Sequence, residues 1–178
     1  MSLEIERRYL IHMPNPMALM SVCREVYVIE QVYLKAEKGI TARVRHRVGA
    51  TEEFFYTEKE YRSDMTRVER EKKITQEECE KLLAERRDPE LQPVCKRRYC
   101  MPIGDLTFEI DIFPFWRNIA VMEVELESED QKVELPQGID VIAEVTGEVQ
   151  LTNAALAHSV PPENFLLRMY GGKPEEKM

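Results

Sequence analysis

The first stretch with chemical potential is residues 3–10, in which Glu4, Glu6 and Arg8 occupy alternate positions. In a β-strand, alternate side chains share one face, so these three would point the same way. Two carboxylates on one strand face repel each other unless a positive charge lies between them. Mg²⁺ and Mn²⁺ prefer such hard oxygen ligands. The stretch is therefore a candidate metal-binding strand, although a charged face exposed to bulk water would show the same pattern.

The same alternation of charged side chains recurs along most of the chain. Arginine forks match phosphate oxygens, so acids from some strands and cations from others would form a site for a metal-bound polyphosphate. The further acid pairs at i and i+2 are Glu69 with Glu71, Glu109 with Asp111, and Glu123 with Glu125. The cations on the charged faces are Arg43, Arg45, Arg47, Lys59, Arg67, Lys73, Lys96 and Arg98.

These residues lie on about eight predicted strands joined mostly by short turns. Short connections favour antiparallel neighbours, and an antiparallel sheet of this size can close into a barrel. Thr75 followed by Glu78 predicts a capping box that starts a helix ending near Arg87. The predicted strands are residues 3–10, 27–35, 40–48, 54–61, 66–74, 94–101, 106–113 and 119–126, and a second helix is predicted over 153–158.

The alternation allows two arrangements of such a barrel. In the first, the apolar faces form the core and the charged faces meet bulk water, where charged side chains are usually found. In the second, the charged faces line the lumen and helices cover the apolar outside. Clustered arginines and paired carboxylates favour the second arrangement, but the pattern alone leaves both open.

Composition sets the limits on the class of protein. The 178 residues are typical of one domain, which we expect over residues 1–160, followed by an extension at 161–178 with a flexible tail. Hydrophobic residues make up 43% and charged residues 33%, and the second figure exceeds that of an average globular protein. The formal net charge of -8 weighs against nucleic acid as a partner.

Cysteine spacing and hydropathy indicate where the protein would work. The four cysteines show neither a C-x-x-C pair nor a histidine at zinc-site spacing, so we expect reduced thiols. No apolar run reaches the length of a membrane span, and charges interrupt the N-terminus where a signal peptide would be apolar. We therefore expect a cytoplasmic protein with no membrane partner. The cysteines are Cys23, Cys79, Cys95 and Cys100.

Taken together and in order, the charged motifs resemble those of the CYTH domain, the triphosphate tunnel metalloenzyme superfamily. The similarity runs from residue 4 to residue 157, which is nearly the whole expected domain. The motifs are E-I-E-R-R at 4–8, Q-V-Y-L at 31–34, R-V-R at 43–45, Y-T-E-K at 56–59, R-V-E-R-E at 67–71, K-R-R-Y at 96–99, F-E-I-D-I-F at 108–113, E-V-E-L at 123–126, E-V-T-G at 144–147 and N-A-A-L-A at 153–157.

The resemblance implies an α+β fold, in which an eight-stranded closed antiparallel β-barrel has a charged lumen and helices packed outside. It also implies hydrolysis of a small-molecule triphosphate, first of all inorganic tripolyphosphate, with Mg²⁺ or Mn²⁺. The implied metal ligands are Glu4, Glu6, Glu123 and Glu125. The implied phosphate-binding residues are Arg8, Arg43, Arg45, Lys59, Arg67, Lys96 and Arg98. The implied catalytic residues are Arg8, Lys59, Glu71 and Arg98, with Glu69, Glu71 and Asp111 supporting them or orienting water.

One residue departs from the signature, because Arg8 stands where the family has lysine. Arginine keeps the charge but is bulkier and is not a compact ammonium. This departure keeps open a non-catalytic protein that binds polyphosphate or an organophosphate. The resemblance is also compatible with a thiamine or nucleoside triphosphatase and with a class IV adenylate cyclase. A homodimer is common in such folds, and the sequence does not fix the oligomeric state.

Overall fold

The computed structural model describes residues 2–171, and these contain nine strands in one antiparallel sheet. The strands are β1 (Ser2–His12), β2 (Glu25–Leu34), β3 (Ile40–Val48), β4 (Glu52–Tyr61), β5 (Thr66–Ile74), β6 (Val94–Ile103), β7 (Leu106–Ile112), β8 (Ile119–Leu126) and β9 (Val141–Glu144). The helices are α1 (Pro16–Val22), α2 (Gln76–Arg86), α3 (Asn153–His158) and α4 (Glu163–Tyr170), with a 3₁₀ turn at Val149–Leu151.

The sheet closes into a barrel because β1 pairs with β8 on one side and with β5 on the other. The start of β1 pairs with β5, with Glu4 opposite Arg67, and its later part pairs with β8, with Arg8 opposite Glu123. Around the ring the strands follow the order β1, β5, β4, β3, β2, β6, β7, β8. The short β9 pairs with the later part of β1, with Tyr9 opposite Glu144. The predicted eight-stranded closed antiparallel barrel is confirmed, with β9 as an addition.

The charged faces point into the barrel, which is the second of the two arrangements that the sequence allowed. The outward faces of β1, β6, β7 and β8 form an apolar layer that includes Ile5, Tyr99 and Met122, and Leu19 of α1 packs on it. A smaller apolar layer on β2 and β3 lies under α2. Apolar burial therefore stabilises the outside of the barrel wall, and the lumen is left to the charges.

The inward face becomes apolar at one end of the barrel, beyond the last charged positions. Leu10, Val121 and Phe113 belong there to one cluster with Leu156 of α3 and Leu166 of α4. The two C-terminal helices therefore cover an end of the barrel, while α1 and α2 pack on its side. The charged lumen has an apolar floor at this end.

Several local predictions are confirmed, and two elements were not predicted. Thr75 and Glu78 form the capping box at the start of α2. Strand β9 and helix α4 are short, and periodicity is a weak signal over so few residues. The predicted boundary at residue 160 stays a prediction, and the predicted flexible tail at 172–178 lies outside the described residues. The four cysteines are free. Within residues 2–171, no helix is long and apolar enough to cross a membrane.

Gly147 tests the contact by which the segment at 146–147 stabilises β1 beside Arg8. Its φ of +80° is in the left-handed region, and an added Cβ would lie 2.8 Å from Cβ of Asp64. Its neighbour Thr146 accepts a hydrogen bond from the backbone N–H of Arg8, so this segment helps to position β1. We predict that Gly147→Ala lowers the free energy of unfolding, measured by urea denaturation, through both backbone strain and the clash.

The matched control is Gly104→Ala. Gly104 also has a positive φ, of +57°, but an added Cβ would meet nothing within 4 Å. The left-handed conformation costs an L-residue about 1–2 kcal/mol at either position. The clash with Asp64 should cost Gly147→Ala about 1–3 kcal/mol more than the control. Equal losses would contradict the contact between this segment and the β4–β5 turn.

Candidate active site

The lumen of the barrel contains an inner cavity of about 230 Å³ whose lining side chains are all polar. Acidic and basic residues line it in equal number, which is an unusual interior for a protein. The acidic residues are Glu4, Glu6, Glu69, Glu71, Glu109, Glu123 and Glu125, and the others are Arg8, Arg43, Arg45, Arg47, Lys59, Lys96, Arg98 and Asn153.

A second, outer cavity of about 350 Å³ adjoins the first. The two share lining residues, among them Glu4, Arg8 and Arg43. The outer cavity also contains tyrosine side chains and small residues of the α3 region. Its remaining lining residues are Glu6, Tyr33, Gly39, Thr41, Thr57, Lys59, Tyr61, Arg67, Val149, Thr152, Asn153, Ala154 and Ala155. The outer cavity therefore has a mixed lining, whereas the lining of the inner cavity is entirely polar.

Arg8 lies between two carboxylates at the centre of the lumen. Its Nη2 is 2.7 Å from Oε1 of Glu6, and its Nε is 2.8 Å from Oε1 of Glu123. Only 6% of Arg8 and 8% of Glu123 are exposed, so water screens these ion pairs weakly. Burial opposes ionisation of Glu123, but Arg8 and then Arg98 hold the pKa of this carboxyl well below its usual range.

The ion pairs continue from Glu123 across β6 and β7. Arg98 places Nη2 3.1 Å from Glu123 and Nε 2.6 Å from Asp111, and it also pairs with Glu109. Lys96 reaches the other oxygen of Asp111 at 2.5 Å. Burial and the neighbouring Arg98 lower the pKa of Lys96 to about 8, although Asp111 acts in the opposite direction. Asp111 is only 1% exposed, and its carboxylate lies beneath the cavity, where it pairs with both Lys96 and Arg98.

Six side chains thus form a continuous chain of alternating charge, which we name the buried ion-pair network. Burial of a charge is costly unless a partner compensates it, and here each member has at least one. The network holds the inward rotamers of its strands in place. Its members, in order, are Glu6, Arg8, Glu123, Arg98, Asp111 and Lys96.

On the opposite wall, Lys59 joins the first strand to the fifth. Its Nζ is 2.5 Å from Glu4 and 3.0 Å from Glu69. Further along the wall, the Thr57 hydroxyl donates a hydrogen bond of 2.9 Å to Glu71, and Arg45 lies 3.6 Å from the same carboxylate. Every charged group described on this wall has an opposite neighbour, but the geometry of the Arg45 pair is loose.

Three arginines on the inward face of β3 differ from the other cations of the lumen. The Nε–H donors of Arg43, Arg45 and Arg47 are buried and have no hydrogen-bond partner. Gln31 holds Arg43, whose Nη1 donates to the amide oxygen at 3.3 Å. Burial, then Arg43 and Arg98, lower the pKa of Arg45 to about 10, and Glu71 and Glu109 act in the opposite direction. Unpaired buried donors are rare, and an anion would supply the missing acceptors.

Carboxylates crowd one another at the other side of the lumen, around Glu6 and Glu125, two of the predicted metal ligands. Burial and then Glu123 raise the pKa of Glu6 to about 7, and burial followed by Glu4 raises the pKa of Glu125. Within residues 2–171, no three His, Cys, Asp or Glu side chains converge to form a ready-made metal site. The donor chemistry nevertheless fits a hard divalent cation, because crowded carboxylates are the ligands that Mg²⁺ and Mn²⁺ prefer.

All but two of the site residues that the sequence predicted line the inner cavity. Asp111 lies beneath it and contacts Lys96 and Arg98. Arg67 lines only the outer cavity, where its Nη1 donates to the backbone oxygens of Ser63 and Thr66.

Sequence reasoning included Gln31 and Tyr33 in the Q-V-Y-L motif but gave them no role in the site, and both lie on the inward face of β2 beside Arg43. A pattern of charged residues gives no role to neutral side chains, although the alternation of these two with Val32 places them on one face.

Solved structures with the same fold are known. The inorganic triphosphatase NE1496 is 28% identical, with 91% of this chain and 99% of that chain covered and a TM-score of 0.54. HpAC1 from Hippeastrum, described as having a dominant triphosphatase activity, is 14% identical, with 99% of each chain covered and a TM-score of 0.52.

A third structure, PH1012 from Pyrococcus horikoshii OT3, is 19% identical, with 71% of this chain and 80% of that chain covered and a TM-score of 0.55. No protein-family model matches the chain, and no curated protein matches it either. The similarities to HpAC1 and PH1012 support the fold, and the similarity to NE1496 extends to the sequence over almost its entire length. The closed barrel, the charged lumen and this similarity to an inorganic triphosphatase agree with the resemblance of the sequence motifs to the CYTH, or triphosphate tunnel metalloenzyme, superfamily.

Proposed function

We propose that the protein hydrolyses a triphosphate in its charged lumen, with inorganic tripolyphosphate as the preferred substrate. The observation that carries this proposal is that Arg43 and Arg45, whose buried Nε–H donors have no hydrogen-bond partner, both line a cavity without apolar side chains. A linear inorganic polyanion supplies acceptors for such donors and needs no apolar contact. The similarity to NE1496, an inorganic triphosphatase, agrees with this choice.

The proposed reaction is the attack of water on a terminal phosphorus atom. The new P–O bond forms as the bond to the bridging oxygen breaks, which gives orthophosphate, pyrophosphate and one proton. Such phosphoryl transfer depends mainly on positioning and charge neutralisation, so it needs no Ser–His–Asp or Cys–His arrangement. Arg8, Lys59 and Arg98 would hold phosphate oxygens together with Arg43, Arg45, Arg67 and Lys96. Glu71, beside Arg45, would orient the water, with Glu69 and Asp111 in support.

The metal-dependent part of the proposal concerns four carboxylates. Glu4, Glu6, Glu123 and Glu125 would hold Mg²⁺ or Mn²⁺, which would neutralise phosphate charge and lower the pKa of a nearby water molecule. Lys59 now contacts Glu4, and Arg8 contacts Glu6 and Glu123. Both cations are long and could exchange a carboxylate for a phosphate oxygen within the same lumen.

An organic triphosphate is the second candidate, because the outer cavity has an exposed apolar rim. Tyr61 is 56% exposed and Val149 is 71% exposed, and both line this cavity. A thiamine or nucleoside group could rest there while its phosphates reach the inner cavity.

A cytoplasmic location and a homodimer also stay predictions.

The first test is phosphate release from tripolyphosphate, thiamine triphosphate and ATP, each with Mg²⁺ and with Mn²⁺. We expect tripolyphosphate to be hydrolysed fastest, and EDTA to abolish the reaction. Faster release from an organic triphosphate would move the preference to the second candidate. Binding of all three without hydrolysis would leave a non-catalytic binder, and cyclic AMP with pyrophosphate from ATP would indicate a cyclase.

Arg45→Gln tests the donors that carry the proposal. The change removes a charged fork with an unpartnered Nε–H, so we expect kcat/KM for tripolyphosphate to fall about tenfold to a hundredfold. Arg70→Gln is the control, because Arg70 lies on the outward face of β5 with about half of its side chain exposed. We expect the control to keep its kcat/KM, and an equal loss in both variants would show a general effect of charge.

Arg8→Lys tests the departure from the family signature. Lysine can retain one of the two carboxylate contacts of Arg8 but not the fork that joins Glu6 to Glu123. If the natural protein is an active enzyme adapted to arginine, kcat for tripolyphosphate should stay within about tenfold of the wild type. A much larger gain in kcat would indicate that the natural protein has lost catalysis and acts as a binder.

A further inference from the structure

Asn153 opens the N-A-A-L-A motif, and neither the family resemblance nor the proposed mechanism gives its side chain a role. It is the first residue of α3 and follows the cap residue Thr152. The Thr152 hydroxyl accepts a hydrogen bond of 3.2 Å from the backbone N–H of Ala155, so the start of the helix is capped without Asn153. The amide of Asn153 is therefore available for a contact outside the helix.

Helix α3 holds Asn153 in a fixed position. Leu156 and Ala157, which are 3% and 1% exposed, pack in the apolar cluster at the end of the barrel. The carbonyl oxygen of Ala157 also accepts a hydrogen bond of 2.8 Å from the backbone N–H of Gln92. A side chain on an anchored helix can present a polar group more precisely than one on a loop.

Asn153 lies where the inner and outer cavities meet. The residues that line both cavities define this junction, which we name the threshold. Each of them is charged except Asn153, and the acids among them already have cations as partners, because Glu4 pairs with Lys59 and Glu6 pairs with Arg8. The threshold residues are Glu4, Glu6, Arg8, Arg43, Lys59 and Asn153.

The contact with Lys96 fixes the orientation of the amide. Oδ1 of Asn153 accepts a hydrogen bond from Nζ of Lys96 at 3.4 Å. An ammonium group only donates, and Asp111 pairs with the same Nζ at 2.5 Å, so the amide oxygen and not the amino group must face Lys96. The Nδ2 amino group consequently points away from Lys96, and among residues 2–171 it has no acceptor.

This amino group is open to a ligand. Asn153 is half-buried, and its Nδ2 is not one of the sealed donors without a partner, unlike Nε of Arg43. Arg43, at the same threshold, binds the neutral Gln31 and forms no ion pair within the part of the chain that the structure describes. A phosphate at the threshold would therefore meet a cation without an acid partner and a neutral donor without an acceptor.

We infer that the Nδ2 group of Asn153 donates a hydrogen bond to the substrate phosphate at the threshold, beside Arg43. The inference rests on the proposed function, because it takes the phosphate chain to lie in the inner cavity with its last phosphate at the threshold. Asn153 is then a substrate-binding residue, and it supplies a donor without adding a charge that would need a partner in the empty lumen. Its oxygen keeps the contact with Lys96.

The test separates the two ends of the amide by two substitutions at one position. The dissociation constant for inorganic tripolyphosphate in Mg²⁺ is measured by isothermal titration calorimetry. Asn153→Ala removes the donor and the Lys96 contact, so we expect binding to weaken about tenfold. Asn153→Asp keeps an acceptor for Lys96 but replaces the donor with a negative oxygen, so we expect binding to weaken about a hundredfold.

Two results at this position would overturn the inference. The first is an unchanged affinity in Asn153→Ala. The second is a loss in Asn153→Ala that Asn153→Asp restores, because that result would assign the amide to positioning Lys96 alone.

Thr41→Asp is the control for added charge. Thr41 lines the outer cavity but not the inner one and is exposed, so this variant adds the same negative charge outside the threshold. We expect it to weaken binding about threefold at most, because water and salt screen a charge at an exposed position. Equal losses in Thr41→Asp and Asn153→Asp would show an effect of charge alone and would also overturn the inference.

Folding and the proposed function are checked in the same series. An aspartate is favourable in the first turn of a helix, so we expect Asn153→Asp to unfold at the same urea concentration as the wild type. If it does not fold, Asn153→Ala, which leaves the cap at Thr152 intact, decides by its affinity. Absence of tripolyphosphate binding by the wild type would refute the proposed function and the inference with it, whereas binding that both variants retain would refute the inference alone.

Discussion

Burial of charge inside a closed barrel is the constraint on which the rest of this structure depends. A buried ion needs a partner, and removing one member of a buried pair is strongly destabilising. The buried ion-pair network meets this need by alternating charge from Glu6 through Arg8 and Arg98 to Lys96. It also fixes the inward rotamers of β1, β6, β7 and β8. The wall can therefore present charged groups to a ligand without collapse of the lumen.

The network does not pair every charged group of the lumen, and the groups outside it are the basis of the proposed function. The arginines of β3 keep unpartnered donors, whereas Glu6 and Glu125 are crowded by other carboxylates. One wall thus suits an anion and the opposite wall suits a cation. A metal-bound polyphosphate carries both charges in one ligand and matches both walls together. Apolar packing on the outside and the apolar floor under Lys96 supply the rigidity that such a preorganised site requires.

Much of this arrangement could be predicted from the sequence, because strand alternation places residues on faces with little ambiguity. The strands at Ile40–Val48 and Thr66–Ile74 and the capping box at Thr75 have the predicted bounds or contacts. Alternation could not decide which face lies inside, since that depends on the long-range pairing of β1 with β5. Nor could it show that Arg8 joins two carboxylates while Arg45 has a donor without an acceptor. Those facts depend on side-chain packing across strands that are far apart in the chain.

A structure of the protein with tripolyphosphate and Mn²⁺, whose anomalous signal locates the metal, tests the central claim most directly. We expect three phosphates in the inner cavity, with oxygens accepting hydrogen bonds from the guanidinium groups of Arg43 and Arg45. We also expect Mn²⁺ at the carboxylate wall, among Glu4, Glu6 and the β8 residues Glu123 and Glu125. Polyphosphate bound outside the barrel, or a lumen in which these arginines contact no phosphate, would contradict it.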